Sequence, residues 1–189
     1  MLFKNLLTFS AIAAGASAAP APEAADPPTW FNLVAIAPGS AVHNAAISAS
    51  AGIFWINHPQ MGAECDRETN NATFVLKADE LNLFKAFALP QDTQRIYIDR
   101  SDVGKGTAGF STGNGPIPKN AERNGFALNS DNHIQFDGSN FQACPIAGGE
   151  SYTIWLSGVG DPSESEGCTD LELLAVGTLN PNSCDYSTI

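Results

Sequence analysis

The sequence predicts an all-β fold, a single compact domain built as a β-trefoil-like barrel, with a two-sheet β-sandwich as the runner-up. Three observations lead there. Short runs rich in β-branched and aromatic residues recur from Trp30 onward, each bounded by Gly, Pro, Asn or Asp. Three stretches fold back across a small or polar turn, within residues 48–54, 73–84 and 128–136. With 43% hydrophobic, 9% aromatic and only 15% charged residues, the 189-residue chain is too apolar for disorder and apolar enough for one core. The three turns are unevenly spaced, so the threefold repeat is a weak signal and the sandwich stays open.

Residues 1–18 read as an export signal. Lys4 gives a basic start, residues 6–14 are an apolar run too short to span a bilayer, and Ala16-Ser17-Ala18 fits a small-residue cleavage site. Residues 19–29, rich in Pro and Ala, make an extended leader. Residues 30–189 form the β domain. Its expected strands are 31–36, 45–49, 52–56, 73–76, 81–84, 95–98, 125–128, 133–136, 151–156 and 171–176. Residues 77–89 also carry strong helix formers, with Leu81, Phe84 and Ala88 at helical spacing. A hairpin turning at Asp79-Glu80 is preferred because the same shape recurs elsewhere. Residues 104–118, with several Gly and two Pro, are expected to be mostly loop.

Charge excludes one class of partner. Twenty acidic against nine basic side chains leave a net charge of −11, the wrong sign for nucleic acid. After Arg123 no Lys or Arg follows, while Asp131, Asp137, Glu150, Asp161, Glu164, Glu166, Asp170, Glu172 and Asp185 do. These form a solvated acidic face; the densest part, 161–166, lacks the alternating oxygen ligands of a calcium loop. No later run is apolar enough for a membrane helix, and the polar 181–189 tail is not that of a glycolipid anchor.

The four cysteines, Cys65, Cys144, Cys168 and Cys184, form no C-x-x-C pair, and His43, His58 and His133 do not flank them at zinc spacing. In an exported chain they predict two disulfides, with three pairings open. No metal or cofactor is implied. Asn71-Ala72-Thr73 is an N-glycan acceptor in a polar stretch.

Candidate chemistry is sparse. Gly109-Phe110-Ser111-Thr112-Gly113 matches the nucleophile-elbow pattern, but Pro116 and Pro118 oppose the helix that must follow it. No carboxylate pair stands out for glycoside hydrolysis. In the cluster Asp99-Arg100-Ser101-Asp102, Asp99 and Arg100 are expected to pair with each other or brace a turn. No catalytic residue is assigned. Trp30, Trp55 and Trp155 offer ring faces for sugars; Trp55 and Trp155 lie in the most apolar strands and are expected to be buried, Trp30 partly exposed.

The region from Phe31 to Cys184 resembles the fungal cell wall protein phiA group. The likeness is carried by Phe31-Asn32-Leu33-Val34-Ala35, Ser40-Ala41-Val42-His43, Ile47-Ser48-Ala49 and Ala72-Thr73-Phe74-Val75-Leu76. It continues through Ile96-Tyr97-Ile98-Asp99-Arg100-Ser101, Gly104-Lys105-Gly106, Gly109 to Gly113, Pro118-Lys119-Asn120, Ala143-Cys144-Pro145 and Ile154-Trp155. The resemblance implies a secreted, wall-associated protein that supports phialide and conidium development, in a group that includes IgE-binding allergens. It implies no catalytic residues. The expected partners are wall polysaccharide or wall proteins, and the alternative reading is a lectin-like carbohydrate-binding module.

Overall fold

The computed structural model describes residues 27–59, 62–148, 150–160, 162 and 167–188. The export signal, most of the leader and the acidic residues Asp161, Glu164 and Glu166 lie outside the described residues. Among the described residues there are fifteen strands and no helix. They are β1 (Phe31–Ile36), β2 (Ile47–Ser50), β3 (Ile53–Ile56), β4 (Glu64–Cys65), β5 (Thr73–Lys77), β6 (Glu80–Leu83), β7 (Gln94–Asp99) and β8 (Thr107–Thr112). The rest are β9 (Ala121–Glu122), β10 (Phe126–Leu128), β11 (His133–Phe136), β12 (Phe141–Pro145), β13 (Tyr152–Leu156), β14 (Thr169–Gly177) and β15 (Cys184–Asp185).

The barrel closes. Strands run β1-β5-β6-β7-β8-β3-β13-β12-β14, and the antiparallel β1–β14 ladder, from Phe31↔Gly177 to Ile36↔Glu172, completes a nine-stranded circuit. A shorter circuit lies inside it: β1-β5-β6-β10-β11-β14. Its β6–β10 join is the Glu80↔Asn124 bridge, with the Gly125 and Phe126 amides donating to the Asp79 carbonyl at 3.1 Å. The remaining hairpins, β2-β3, β7-β8 and β12-β13, meet pairwise through β3–β8, β3–β13 and β8–β13 contacts. Six barrel strands capped by three converging hairpins make the β-trefoil arrangement.

The core repeats with the strands. Leu33, Leu81 and Ile134 occupy the first strand of each unit, Ile47, Ile96 and Phe141 the second. Phe54, Ala108 and Ile154 occupy the third, and Phe74, Phe126 and Leu173 the fourth. These side chains enclose a cavity of only about 20 Å³. All of them are apolar, so a water there would lack hydrogen-bond partners.

All three expected hairpins form, but they are not equivalent to one another. Residues 48–54 give a cap hairpin, with Ala51 and Gly52 both at positive φ (50° and 75°) as a type I′ turn requires. Residues 73–84 and 128–136 instead give β5-β6 and β10-β11, which join successive units along the barrel wall. The β5-β6 turn is Ala78-Asp79, one residue before the expected Asp79-Glu80, since Lys77 pairs with Glu80. That register sets Phe74 against Leu83 and Leu76 against Leu81. Moving it by one residue would turn the inward set outward.

Five strands escape the sequence reading: the two-residue β4, β9 and β15, and two longer ones. Within the expected loop at 104–118, Thr107–Thr112 is β8, with Ala108 and Phe110 buried. Gly109 sits in it because a Cβ there would come within 2.6 Å of the Tyr97 ring. The other is Phe141–Pro145, held between β13 and β14.

The last residues strap the domain. Strand β15 pairs with β4, and Cys184 is bonded to Cys65, 119 positions earlier. The second disulfide, Cys144–Cys168, spans 24 positions. Gln94 clasps the strap: its Nε2 donates to the Tyr186 carbonyl at 2.7 Å, and its Oε1 accepts from the Tyr186 amide at 2.8 Å. The Tyr186 ring lies edge-on to Phe110, and its hydroxyl accepts from the Thr73 amide at 3.4 Å. Burial pushes the Tyr186 phenol up to about 12.

Candidate functional site

The residues singled out for chemistry do not converge. Ser111 lies inside β8, not at a strand-to-helix turn, and its hydroxyl accepts from Arg123 Nη2 at 2.7 Å. Of the two alternatives expected for Asp99 and Arg100, the mutual pair does not form, since Arg100 pairs with Glu122 and Asp137, and the turn brace does. Asp99 is buried and braces the β7-β8 turn by accepting from the Ser101 amide at 3.0 Å; Gly104 leaves room for its carboxylate. His43 accepts from the Ala37 amide, His58 stacks on Trp55 at 4.3 Å, and His133 stands 3.2 Å from Glu172. Among the described residues no group of three His, Cys, Asp or Glu side chains could hold a metal ion. No helix of the described residues is long and apolar enough to cross a membrane. Asn71 is exposed on the loop between β4 and β5, while Thr73 of the same triplet is buried at the start of β5.

The three tryptophans divide differently from expectation. Trp55 and Trp155 are half-buried on the outer face of the cap, not buried. They alternate with the inward-pointing Phe54, Ile56, Ile154 and Leu156. Trp155 donates to the Thr153 hydroxyl at 2.8 Å, and Trp55 to the Ser50 carbonyl at 3.0 Å. Trp30 opens onto a groove.

That groove has a volume of about 620 Å³ and is lined on one side by residues 27–30. The other side comprises Leu83, Phe84, Phe87 and Ala88. Trp30 packs edge-on to Phe84, their centroids 6.0 Å apart, and keeps 38% of its surface exposed. Phe87 is fully exposed and adopts φ +56°, a left-handed conformation uncommon for a bulky residue. Leu89 beside it is exposed as well. Lys85, on the rim, holds Asp185 of the strap at 2.6 Å. Phe84 and Phe87 had been absorbed into a hairpin arm or a helix. The usable signal is the mostly apolar stretch 85–89, left with no strand of its own.

A second cleft of about 500 Å³ continues the groove, sharing Lys77, Asn82, Ala88 and Thr93 with it. It is polar: Glu80, Gln91, Arg95 and Asn114 complete it. Aromatic faces followed by amide, hydroxyl and charged groups suit a ligand with flat apolar faces and a hydroxylated edge.

Fold and cysteine pairing together define a disulfide-closed, all-β barrel domain. The chain belongs to the family of PhiA-like secreted proteins, whose family model matches residues 31–187. It is 37% identical to the cell wall protein phiA of Aspergillus fumigatus over 191 residues, covering 99% of this chain and all of that protein. The protein of the same name from Emericella nidulans is 35% identical over the full length of both chains. The one from Arthroderma benhamiae is 28% identical over 87% of this chain and 90% of its own length. No solved structure matches the chain.

Proposed function

We propose that this protein is a non-catalytic component of the fungal cell wall that supports phialide and conidium development, held in the wall by a glycan lying in the Trp30–Phe87 groove. Membership of a secreted family and the name shared by its relatives support the compartment. The observation that carries the binding role is the exposed Phe87 beside Trp30, at the open end of a groove with hydrogen-bonding groups beyond it. Burying two apolar ring faces against a sugar removes apolar area from water with little loss of rotamer freedom.

Retention on insoluble β-glucan, chitin and mannan tests this. The intact protein is retained by at least one of them. Trp30→Ala and Phe87→Ala, on a surface whose loss leaves the core intact, weaken retention by about tenfold or more. Equal retention of both variants and the parent, or no retention of the parent on any of the three, would refute the reading.

A further inference from the structure

The polar cleft beyond the aromatic groove carries positive charge in an acidic molecule. The chain has twenty acidic side chains. Yet Lys77, Arg95 and Arg123 have no carboxylate within 4.0 Å among the described residues. By contrast, Lys85 has one and Arg100 has two. Arg95 and Ser111 are direct partners across β7 and β8, and Arg123 donates to Ser111, so the two arginines meet on one face of the sheet, Arg95 on the cleft and Arg123 behind it. Both are half-buried. Arg95 donates to the Gly113 carbonyl at 2.8 Å and more weakly to Asn114 at 3.4 Å, both neutral acceptors. The Nε atoms of Arg95 and Arg123 are the two buried side-chain polar atoms, among the described residues, that find no acceptor at all.

Two adjacent, partly desolvated cations with neutral partners oppose folding. Burial, and after it the charge of Arg95, lowers the pKa of Arg123. Glu80, the carboxylate lining the cleft, acts on Arg123 from beyond ion-pair distance. An arrangement of this kind is relieved by an anion, which arginine recognises through paired N–H groups. Arg95 and Lys77 open onto the cleft, and Asn82, Gln91, Thr93 and Asn114 offer neutral hydrogen-bonding groups around them.

We infer that this cleft binds the anionic group, a carboxylate or a phosphate, of an acidic sugar polymer whose neutral units lie in the adjoining aromatic groove. The inference rests on reading the groove as a glycan site, because continuity with Trp30 and Phe87 is what favours a sugar chain over an acidic polypeptide.

The test uses the full secreted chain and four soluble probes: polygalacturonate, phosphorylated mannan, the neutral β-glucan laminarin and poly-glutamate. At low salt at least one anionic glycan binds, and added salt weakens it. Arg95→Gln combined with Arg123→Gln weakens that binding about tenfold or more and leaves laminarin binding within about twofold. Arg100→Gln removes the same charge from a paired arginine and leaves the anionic glycan within about twofold. Thermal melts of each variant with and without probe separate lost binding from lost folding, since a bound probe raises the melting temperature only where the site survives. Binding by polygalacturonate alone assigns the carboxylate, and by the phosphorylated mannan alone the phosphate. The inference fails if neither anionic glycan binds, if the folded double variant binds as well as the parent, or if poly-glutamate binds as tightly as the glycans. Anionic binding lost at Arg95 and Arg123 upholds the anion site whether or not laminarin binds, while anionic binding left unchanged by Trp30→Ala with Phe87→Ala would overturn the placement of the sugar units in the groove.

Discussion

Replacing Gln94 by Leu tests how the C-terminal strap is held. Gln94 lies at the first position of β7 with 1% of its surface exposed. Its amide closes both hydrogen bonds of the Tyr186 backbone, as a neighbouring strand would, and also donates to the Thr112 hydroxyl at 3.1 Å. Leu has nearly the same size but no polar atom. The Tyr186 N–H and C=O would then be buried without partners, at about 1–3 kcal/mol each. The sum is about 2–6 kcal/mol, and for a chain of this length each kcal/mol lowers the melting temperature by about 2–4 °C. The expected fall is therefore about 4–24 °C in a thermal melt followed by near-ultraviolet circular dichroism with disulfides intact. Gln135→Leu is the control: its amide is only half-buried and donates to the Asn140 side chain. Its melt should move by no more than a few degrees. If Gln94→Leu moves the midpoint no further than Gln135→Leu, the strap is held by the disulfide and Tyr186 packing, and the clasp argument is wrong.

Three further outcomes are expected. Removing Cys65–Cys184 by double Ala replacement costs about 5 kcal/mol and removing Cys144–Cys168 about 3.5, because the first bridge closes the longer loop; urea midpoints in the reverse order would contradict this. Stability falls at high pH: an unfolded tyrosine loses its proton near pH 10, while buried Tyr186 keeps its own to about 12. Between those values the folded state binds more protons, so stability drops by about 1.4 kcal/mol per pH unit, about 2.7 in total; Tyr186→Phe should flatten that limb, and an unchanged slope in the variant speaks against the burial. Protein made in a fungal host should lose mass on treatment with an N-glycan-releasing amidase, and Asn71→Gln should abolish the loss; equal mass before and after treatment would remove Asn71 as an acceptor.

The apolar–polar alternation in 95–98 marked most of β7 without any tertiary knowledge, because a half-buried strand writes its two faces into the sequence with period two, and the apolar, β-branched run 31–36 before a turn marked β1. Strand β8 was hidden for the opposite reason. Both its faces are largely covered, the outer one by Tyr97 over Gly109 and Arg123 over Ser111, so its small residues read as loop. Strand β12 likewise lies between two neighbours, and its apolar positions are too few to announce it. The groove was half legible. Trp30 stood out as an aromatic next to a Pro-rich leader, whereas Phe87 became significant only when its segment was left without a sheet partner.

The sequence alone determined the β class, the three hairpins (one with its turn a residue late), the pool of disulfide-forming cysteines and the secreted-family motifs. Each of these is a local property: a side-chain period, a turn chemistry or a run of neighbouring residues. Only the tertiary structure decided which cysteines pair, which hairpins are equivalent, and that Arg95, with Ser111 and Arg123 next to it, lines a cleft continuous with the groove of Trp30 and Phe87. Those facts depend on strand register and barrel closure, which bring together positions up to 119 residues apart and leave no trace in local spacing.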